Sequence, residues 1–411
     1  MNTYLFKITN NQKFIFIGTL IFILLFCFEI VNHRLILNDF KVYYMASKAL
    51  MHGEQIYGIP FGVFSGFYKY APFILFFFAP YTVLPYSVAI IVHFFVISFS
   101  IIFFIIVLKQ IFIKYQLLEE GKKTYLLLVS VLLCGINHIF RELHLGNTNA
   151  IILLLMCLIL KFTLESKNIQ AGILLSIVIL CKPYFLILLL PLFLFGKIKV
   201  LVNAGFATIF FLLIPAVFVG ISADLALHQE WIKAMLAHDG YLNSFHTITS
   251  ILKHYLHLSF SNKFHYVILA GIIFSIYLFY FWLNKLADDK NENISLSKNI
   301  SLIIQYFMAI GIIPNLVTTD TEHFLFSMPL LALLIAFLTK YRNAFLVTGF
   351  VMLVLFYEGN STDWFGHDLS NRIESWGTYG IANMVIIIIV AFVSYRYRSV
   401  IQSMLPEKNN L

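Results

Sequence analysis

Runs of about twenty apolar residues recur along this chain, and they constrain its fold more than anything else in it. The first is FIFIGTLIFILLFCFEIV, Phe14 to Val31, and YSVAIIVHFFVISFSIIFFIIVLK, from Tyr86, is longer still. Where water is absent, backbone polar groups must pair within the segment, so such runs are helices. Ten of them approach span length, roughly 14–33, 86–108, 124–140, 148–163, 199–221, 264–284, 299–317, 323–339, 343–357 and 379–395. Two further segments are odd. AGILLSIVILCKPYFLILLLPLFLF has Lys182-Pro183 at its middle, and APFILFFFAPYTVLP is short and bounded by prolines. Both suit re-entrant or interfacial pieces. With 12% charged residues, against about a quarter in soluble domains, the chain reads as an all-α polytopic membrane protein. Residues 1–411 form one membrane domain, with about ten transmembrane helices plus re-entrant or interfacial helices. The first run lacks a small-residue cleavage site and reads as a span, not a leader.

Lysine and arginine give the orientation. With the N-terminus inside and the Lys182 segment folded as a re-entrant pair, eighteen of the 28 basic residues fall in short inner loops. If that segment crosses once instead, every later loop changes side and KYRN and YRYRS become external, which is the weaker reading. The outer side then carries the first loop, 34–85, and the loops 141–149, 222–263, 318–323 and 358–377. The membrane expected is the inner (plasma) membrane, with any chemistry facing outward. The net charge of +8 reports orientation, not a nucleic-acid partner. Cys27, Cys134, Cys157 and Cys181 lie in apolar runs without metal-ligand spacing and read as buried thiols.

Several polar residues stand out against this background. LNDFKVYYMASKALMHGEQIYG, from Leu37, places Asp39 at the start of a helix whose apolar positions Val42, Met45, Ala46, Ala49 and Leu50 share a face. Asn38 or Asp39 can be a helix cap, and a carboxylate at a membrane boundary can also be a base. Lys182 either snorkels to the interface or provides a cation for an anionic head group. His323 lies in TTDTEHFLF beside Asp320 and Glu322, as an interfacial histidine or as a phosphate donor or acid–base group. RELHLGNTNA groups Arg141, Glu142, His144, Asn147 and Asn149 around a turn at Gly146. The stretch 222–263 holds His228, His238, His246, His254 and His257, and its Trp231, Met235 and Leu236 read as another interfacial helix. No third ligand joins Asp320 and Glu322, so no metal site is expected. Phosphate-loop, nucleophile-elbow and dinucleotide signatures do not occur.

The order of four stretches resembles glycosyltransferase family 87. They are NDFKVYYMASKALMHGEQIYG, FYKYAPFILFFFAPYTVLP, HLGNTNAIILLLMCLIL and AGILLSIVILCKPYFLILLLPLFLFGKIK. Members have the GT-C fold and transfer sugars, mannose among them, from polyprenyl phosphate. The likeness covers most of the chain and is strongest over 38–200. Ala71 stands where the family usually has proline, and Asn147 where it usually has glutamine. The resemblance implies that Asp39 is the catalytic base, deprotonating an acceptor hydroxyl that attacks C1 with inversion. It implies donor-phosphate contacts from Lys182, His323, Arg141 and Lys69. Sugar or acceptor contacts would come from Tyr43, Tyr44, Asn147, Asn149 and Glu322. The partners implied are a polyprenyl-phosphate-linked sugar, a glycan or glycolipid acceptor and the bilayer, with no cofactor and no metal.

Three other readings compete. One is a transporter or flippase of lipid-linked sugars, another a polymerase or ligase of the same molecules, and the third a non-catalytic membrane assembly protein. Ionisable residues at mid-span would favour the transporter, but most here sit near the outer boundary, and no internal repeat is visible.

Overall fold

The computed structural model describes residues 10–63, 66–119, 121, 129–237, 244–258, 271, 274, 277–278, 281, 294–318, 320–340, 344–360 and 362–396. The expected span 264–284 lies almost wholly outside these, as do residues 124–128 of the run 124–140. Among the described residues the chain is helical, as the apolar runs require. Four helices among the described residues are long and apolar enough to cross a membrane, Asn11–Val31, Tyr86–Lys114, Ile198–Val219 and Thr321–Thr339. The number rises to six if each of two bent pairs counts as one span. Several of the expected runs are thus shorter helices or broken ones, and the physical reason is local. Glycine, proline and polar turns interrupt apolar sequence that hydropathy alone reads as continuous.

The chain forms two compact units. The first comprises Met1–Ile111, Ile139–Pro183 and Val202–Tyr241. Its helices are α1 (Asn10–Val31), α2 (Asn38–His52), α3 (Tyr86–Lys114), α4 (Ile136–Leu145), α5 (Asn149–Leu164), α6 (Asn168–Cys181), α7 (Ile198–Val219) and α8 (Ile221–Leu236). Short helical turns from Pro72 to Val83 lead into α3. Phe16, Leu24 and Phe28 of α1 are exposed, as lipid-facing side chains are in a structure without its bilayer. Cys27 is exposed with them, while the other three thiols are buried, which corrects the expectation of four buried cysteines. A helix with apolar residues all round hides no particular face, so burial at Cys27 could not be read from sequence.

The expected break at Lys182 is present. Helix α6 stops at Cys181, and Lys182 takes the extended conformation at φ −143°, ψ 98°. The ring of Pro183 excludes helical geometry from the residue before it. Residues 141–145 belong to α4, so the stretch 141–149 is a helix end and a turn. Likewise 222–236 lies in α8, whose outward stripe of Ile221, Leu225, Ile232 and Leu236 is exposed. Asp224, to one side of this stripe, is buried. This agrees with an interfacial helix.

The second unit comprises Phe112–His138, Tyr184–Leu201 and Leu242–Leu411. Its main helices are α9 (Ile248–Leu256), α10 (Ile294–Gly311), α11 (Met328–Lys340), α12 (Ala344–Glu358) and α13 (Thr378–Arg396). The expected span 299–317 breaks after Gly311, where Pro314 follows in the short helix Ile313–Leu316. Buried amides tie off the carbonyls that the break releases. Asn383 donates to Gly311 O and to Asn315 Oδ1 (2.7 Å each), and Asn315 donates to the carbonyls of His246 (3.0 Å) and Gly380 (2.9 Å).

The orientation is testable with single cysteines on a background lacking Cys27. A cysteine at exposed Asn371 should react with a membrane-impermeant maleimide in intact cells, and one at exposed Ser166 should not. Protection at both Asn371 and Ser166 would overturn the re-entrant reading of the Lys182 segment, because a single crossing moves only the later loops inside.

Candidate active site

The polar residues of the first unit converge on the turn between α4 and α5. These helices meet at 117°, and Gly146 makes the corner with φ +68°. A Cβ on Gly146 would stand 2.8 Å from Leu37 Cβ and 3.0 Å from Phe40 Cβ. The corner therefore presses against the start of α2, and only glycine fits both the conformation and the space. From the other side His93 Nε2 lies 3.1 Å from Gly146 O. A carbonyl only accepts, so this nitrogen carries the proton. The His93 ring in turn stacks on Phe40, centroids 4.1 Å apart. Tyr86, first residue of α3, donates to Ile36 O at 2.8 Å. Two residues of α3 thus fix the approach to α2 and the corner together.

Asp39 occupies the first turn of α2. Leu37 caps that helix, in a left-handed conformation and with no side-chain hydrogen bond. Asn38 Oδ1 instead accepts from Val63 N at 2.7 Å. Neither Asn38 nor Asp39 is the cap that the sequence suggested, because the tight turn at Leu37 starts the helix one residue earlier. The Asp39 carboxylate is a side chain at the positive end of a helix. Its Oδ2 accepts from Asn147 Nδ2 at 2.8 Å. The orientation of that amide is set by what its oxygen accepts: Tyr43 Oη at 3.1 Å and Thr148 N at 2.7 Å.

Tyr43 and Tyr70 Oη lie 2.8 Å apart, and Tyr70 Oη is also 2.8 Å from Thr148 Oγ1. Burial first, then the charge of close neighbours, pushes the Tyr43 hydroxyl well above the usual phenol range. Burial does the same to Tyr70, outweighing the hydrogen bonds from Thr148 and Tyr43 that act the other way. Both stay protonated at neutral pH and serve as donors, so neither is the base. The Tyr70 segment is anchored twice. Ala71 N donates to Leu180 O at 3.0 Å, and Trp231 Nε1 donates to Lys69 O at 2.9 Å.

Two residues beyond Asn147 the turn delivers a second asparagine. Asn149 Oδ1 accepts from Lys182 Nζ at 2.5 Å, and Asn149 Nδ2 donates to Glu142 Oε2 at 2.9 Å. Lys182 is buried, with 6% of its surface exposed, so it does not snorkel. Its Nζ lies 6.0 Å from the Tyr70 ring centroid, at the outer limit for a cation–π contact. A single corner therefore connects carboxylate, buried tyrosines and ammonium.

Not every expected residue joins this group. Tyr44 turns away and donates to Leu84 O at 2.9 Å. Arg141 is exposed on α4, and Lys69 is partly exposed. Glu322 and His323 belong to the second unit, buried in the helical turn Thr321–Ser327. There His323 Nδ1 lies 3.2 Å from Asp320 O and 3.4 Å from Glu322 Oε1. Tyr70, Thr148, His93 and the role of Glu142 were missed from sequence. The partners of Tyr70, Thr148 and His93 lie far along the chain, while Glu142 bonds only seven and eight residues ahead, across a turn whose geometry the sequence does not give.

A family model matches residues 67–309, and it is that of glycosyltransferase family 87. This chain belongs to glycosyltransferase family 87. The resemblance carried by the four sequence stretches is borne out, and the protein is a membrane-embedded glycosyltransferase. No curated protein matches it. The family match spans Tyr70, the Gly146 corner and Lys182, while Asp39 lies ahead of it and His323 beyond it. In this family 87 enzyme the corner thus connects matched residues to the α2 carboxylate.

Proposed function

We propose that this family 87 enzyme transfers a hexose, mannose in the first instance, from a polyprenyl-phosphate sugar to a lipid-linked or glycan acceptor. The reaction takes place on the extracytoplasmic face. Asp39 removes the proton from the acceptor hydroxyl, that oxygen attacks C1 with inversion, and the bond from C1 to the phosphate oxygen breaks. The polyprenyl phosphate leaves with the electron pair. Asn147 holds the carboxylate, and Lys182 meets the negative charge that grows on the leaving phosphate. The observation that carries this reading is the Gly146 corner, where Asn147 donates to Asp39 and Asn149 accepts from Lys182. A lipid donor arrives already activated and held at the membrane, so the base and the cation are the chemistry it still needs. The roles of His323, Arg141 and Lys69 toward the phosphate, and of Tyr44 and Glu322 toward sugar or acceptor, rest on the family likeness.

Purified protein in liposomes should release polyprenyl phosphate from synthetic polyprenyl-phosphate-mannose when an acceptor glycolipid is present, and should ignore nucleotide sugars. A charge-assisted contact to phosphate is worth about 1.5–3 kcal/mol. Lys182→Met should accordingly raise the KM for the donor roughly ten- to a hundredfold. Turnover from a nucleotide sugar alone, or an unchanged donor KM in Lys182→Met, would overturn the proposal.

A further inference from the structure

We propose that Glu142 is a positioning residue: it aims Lys182 at the donor phosphate by deciding which end of the Asn149 amide faces the ammonium. This rests on the phosphate-binding role proposed for Lys182. Glu142 is fully buried on α4. Its Oε1 accepts from Ala150 N at 2.9 Å and its Oε2 from Asn149 Nδ2 at 2.9 Å. The Ala150 amide is a donor at the start of α5, where no carbonyl of the preceding turn meets it. A carboxylate serves both donors because it has two accepting oxygens and no proton of its own. With the Asn149 NH2 committed to Glu142, its carbonyl must face Lys182. The carboxylate also places a negative charge two hydrogen bonds from the buried ammonium, which offsets part of the desolvation that burial imposes.

The arrangement makes an unusual demand on substitutions. A glutamine at 142 keeps the size but has only one accepting oxygen. If that oxygen stays on Ala150 N, its NH2 faces Asn149. The Asn149 amide must then turn round, and its own NH2 points at the lysine ammonium, donor against donor. An aspartate at 149 beside intact Glu142 sets two carboxylates against each other. Combining the two changes restores these donor–acceptor pairs and the net charge: the glutamine NH2 donates to one oxygen of the new aspartate, and Lys182 donates to the other.

The test is binding of farnesyl phosphate, a short polyprenyl phosphate, by calorimetry on purified full-length protein in detergent, with the donor KM and kcat measured alongside. Glu142→Gln and Asn149→Asp should each weaken binding about tenfold or more and raise KM more than they lower kcat. Glu142→Gln with Asn149→Asp should return to within about threefold of wild type. A double variant as weak as the two losses combined, or wild-type affinity in Glu142→Gln, overturns the proposal. If Glu142→Gln does not fold, the double variant against Asn149→Asp decides the matter, since rescue of folding and binding is expected from the restored pattern alone. Lys182→Met separates the two levels. Wild-type affinity there removes the phosphate role of Lys182, whereas weak binding there with no rescue in the double variant removes only the role of Glu142.

Discussion

Asp39→Asn should fold, insert and bind donor, and should lose about 10²–10⁴-fold in turnover, the usual contribution of a positioned base. An alcohol is a poor nucleophile at neutral pH, and an amide cannot take its proton. The substitution is a clean one here because Asp39 is not the cap of α2; that position is Leu37, with no side-chain hydrogen bond to lose. Asparagine can still offer its oxygen to Asn147 Nδ2. What it gives up is a favourable charge at the helix start, worth about 0.3–1 kcal/mol. Asp39→Ala should be less stable than Asp39→Asn by about 1–3 kcal/mol, because buried Asn147 Nδ2 loses its acceptor, and equally inactive. Thermal unfolding and single-turnover transfer, measured on both, check this. If Asp39→Asn turns over like wild type, the base is elsewhere, and Asp320 and Glu322 are the carboxylates to examine next.

Gly146→Ala should be nearly as damaging, although position 146 offers no side chain to the chemistry. Alanine at φ +68° carries strain of about 1–3 kcal/mol. Its methyl would also arrive 2.8 Å from Leu37 Cβ, so the corner and the start of α2 must separate. Asn147 then moves off Asp39 and Asn149 off Lys182 together. A loss of at least a hundredfold in kcat/KM is expected, since misplacement of about 1 Å can have that effect. Gly53→Ala is the control. Gly53 ends α2 at φ +69° with nothing within 4 Å of a Cβ, so it carries similar strain without the collision. It should lose stability and keep near-normal transfer. Equal losses of activity in the two variants would show that general destabilisation, not the corner, is responsible.

These residues also show where sequence reading succeeds. Lys182-Pro183 announced its break because a proline acts on its immediate neighbour, and Gly146 announced a turn for the same local reason. Asp39 drew notice because a carboxylate beside an apolar run is conspicuous, and the structure brings it to the Gly146 corner through Asn147. The capping role suggested for it failed, since Leu37 adopts a left-handed conformation that an aliphatic residue seldom takes and that no pattern signals. His93 and Tyr70 were invisible for a different reason. Within an apolar run or an aromatic cluster, a side chain's importance depends on a partner dozens of residues away, such as Gly146 O or Thr148 Oγ1. Among the described residues an expected run such as 299–317 is broken, because hydropathy averages over short interruptions like the one after Gly311.

The spacing of the corner's partners along the chain has a consequence for biosynthesis. Asp39 and Asn147 are 108 residues apart, and Asn149 and Lys182 are 33 apart. At about 5–20 residues per second, the Asp39 carboxylate waits roughly 5–20 seconds for its amide. Glu142 and Asn149 then enter the membrane about 2–8 seconds before the lysine is made. During that interval a glutamate and an asparagine sit on nascent helices without the ammonium that later neighbours them. The ribosome thus delivers the charges in the order anion, amide, cation, and the polar interior of the first unit closes only when Lys182 emerges.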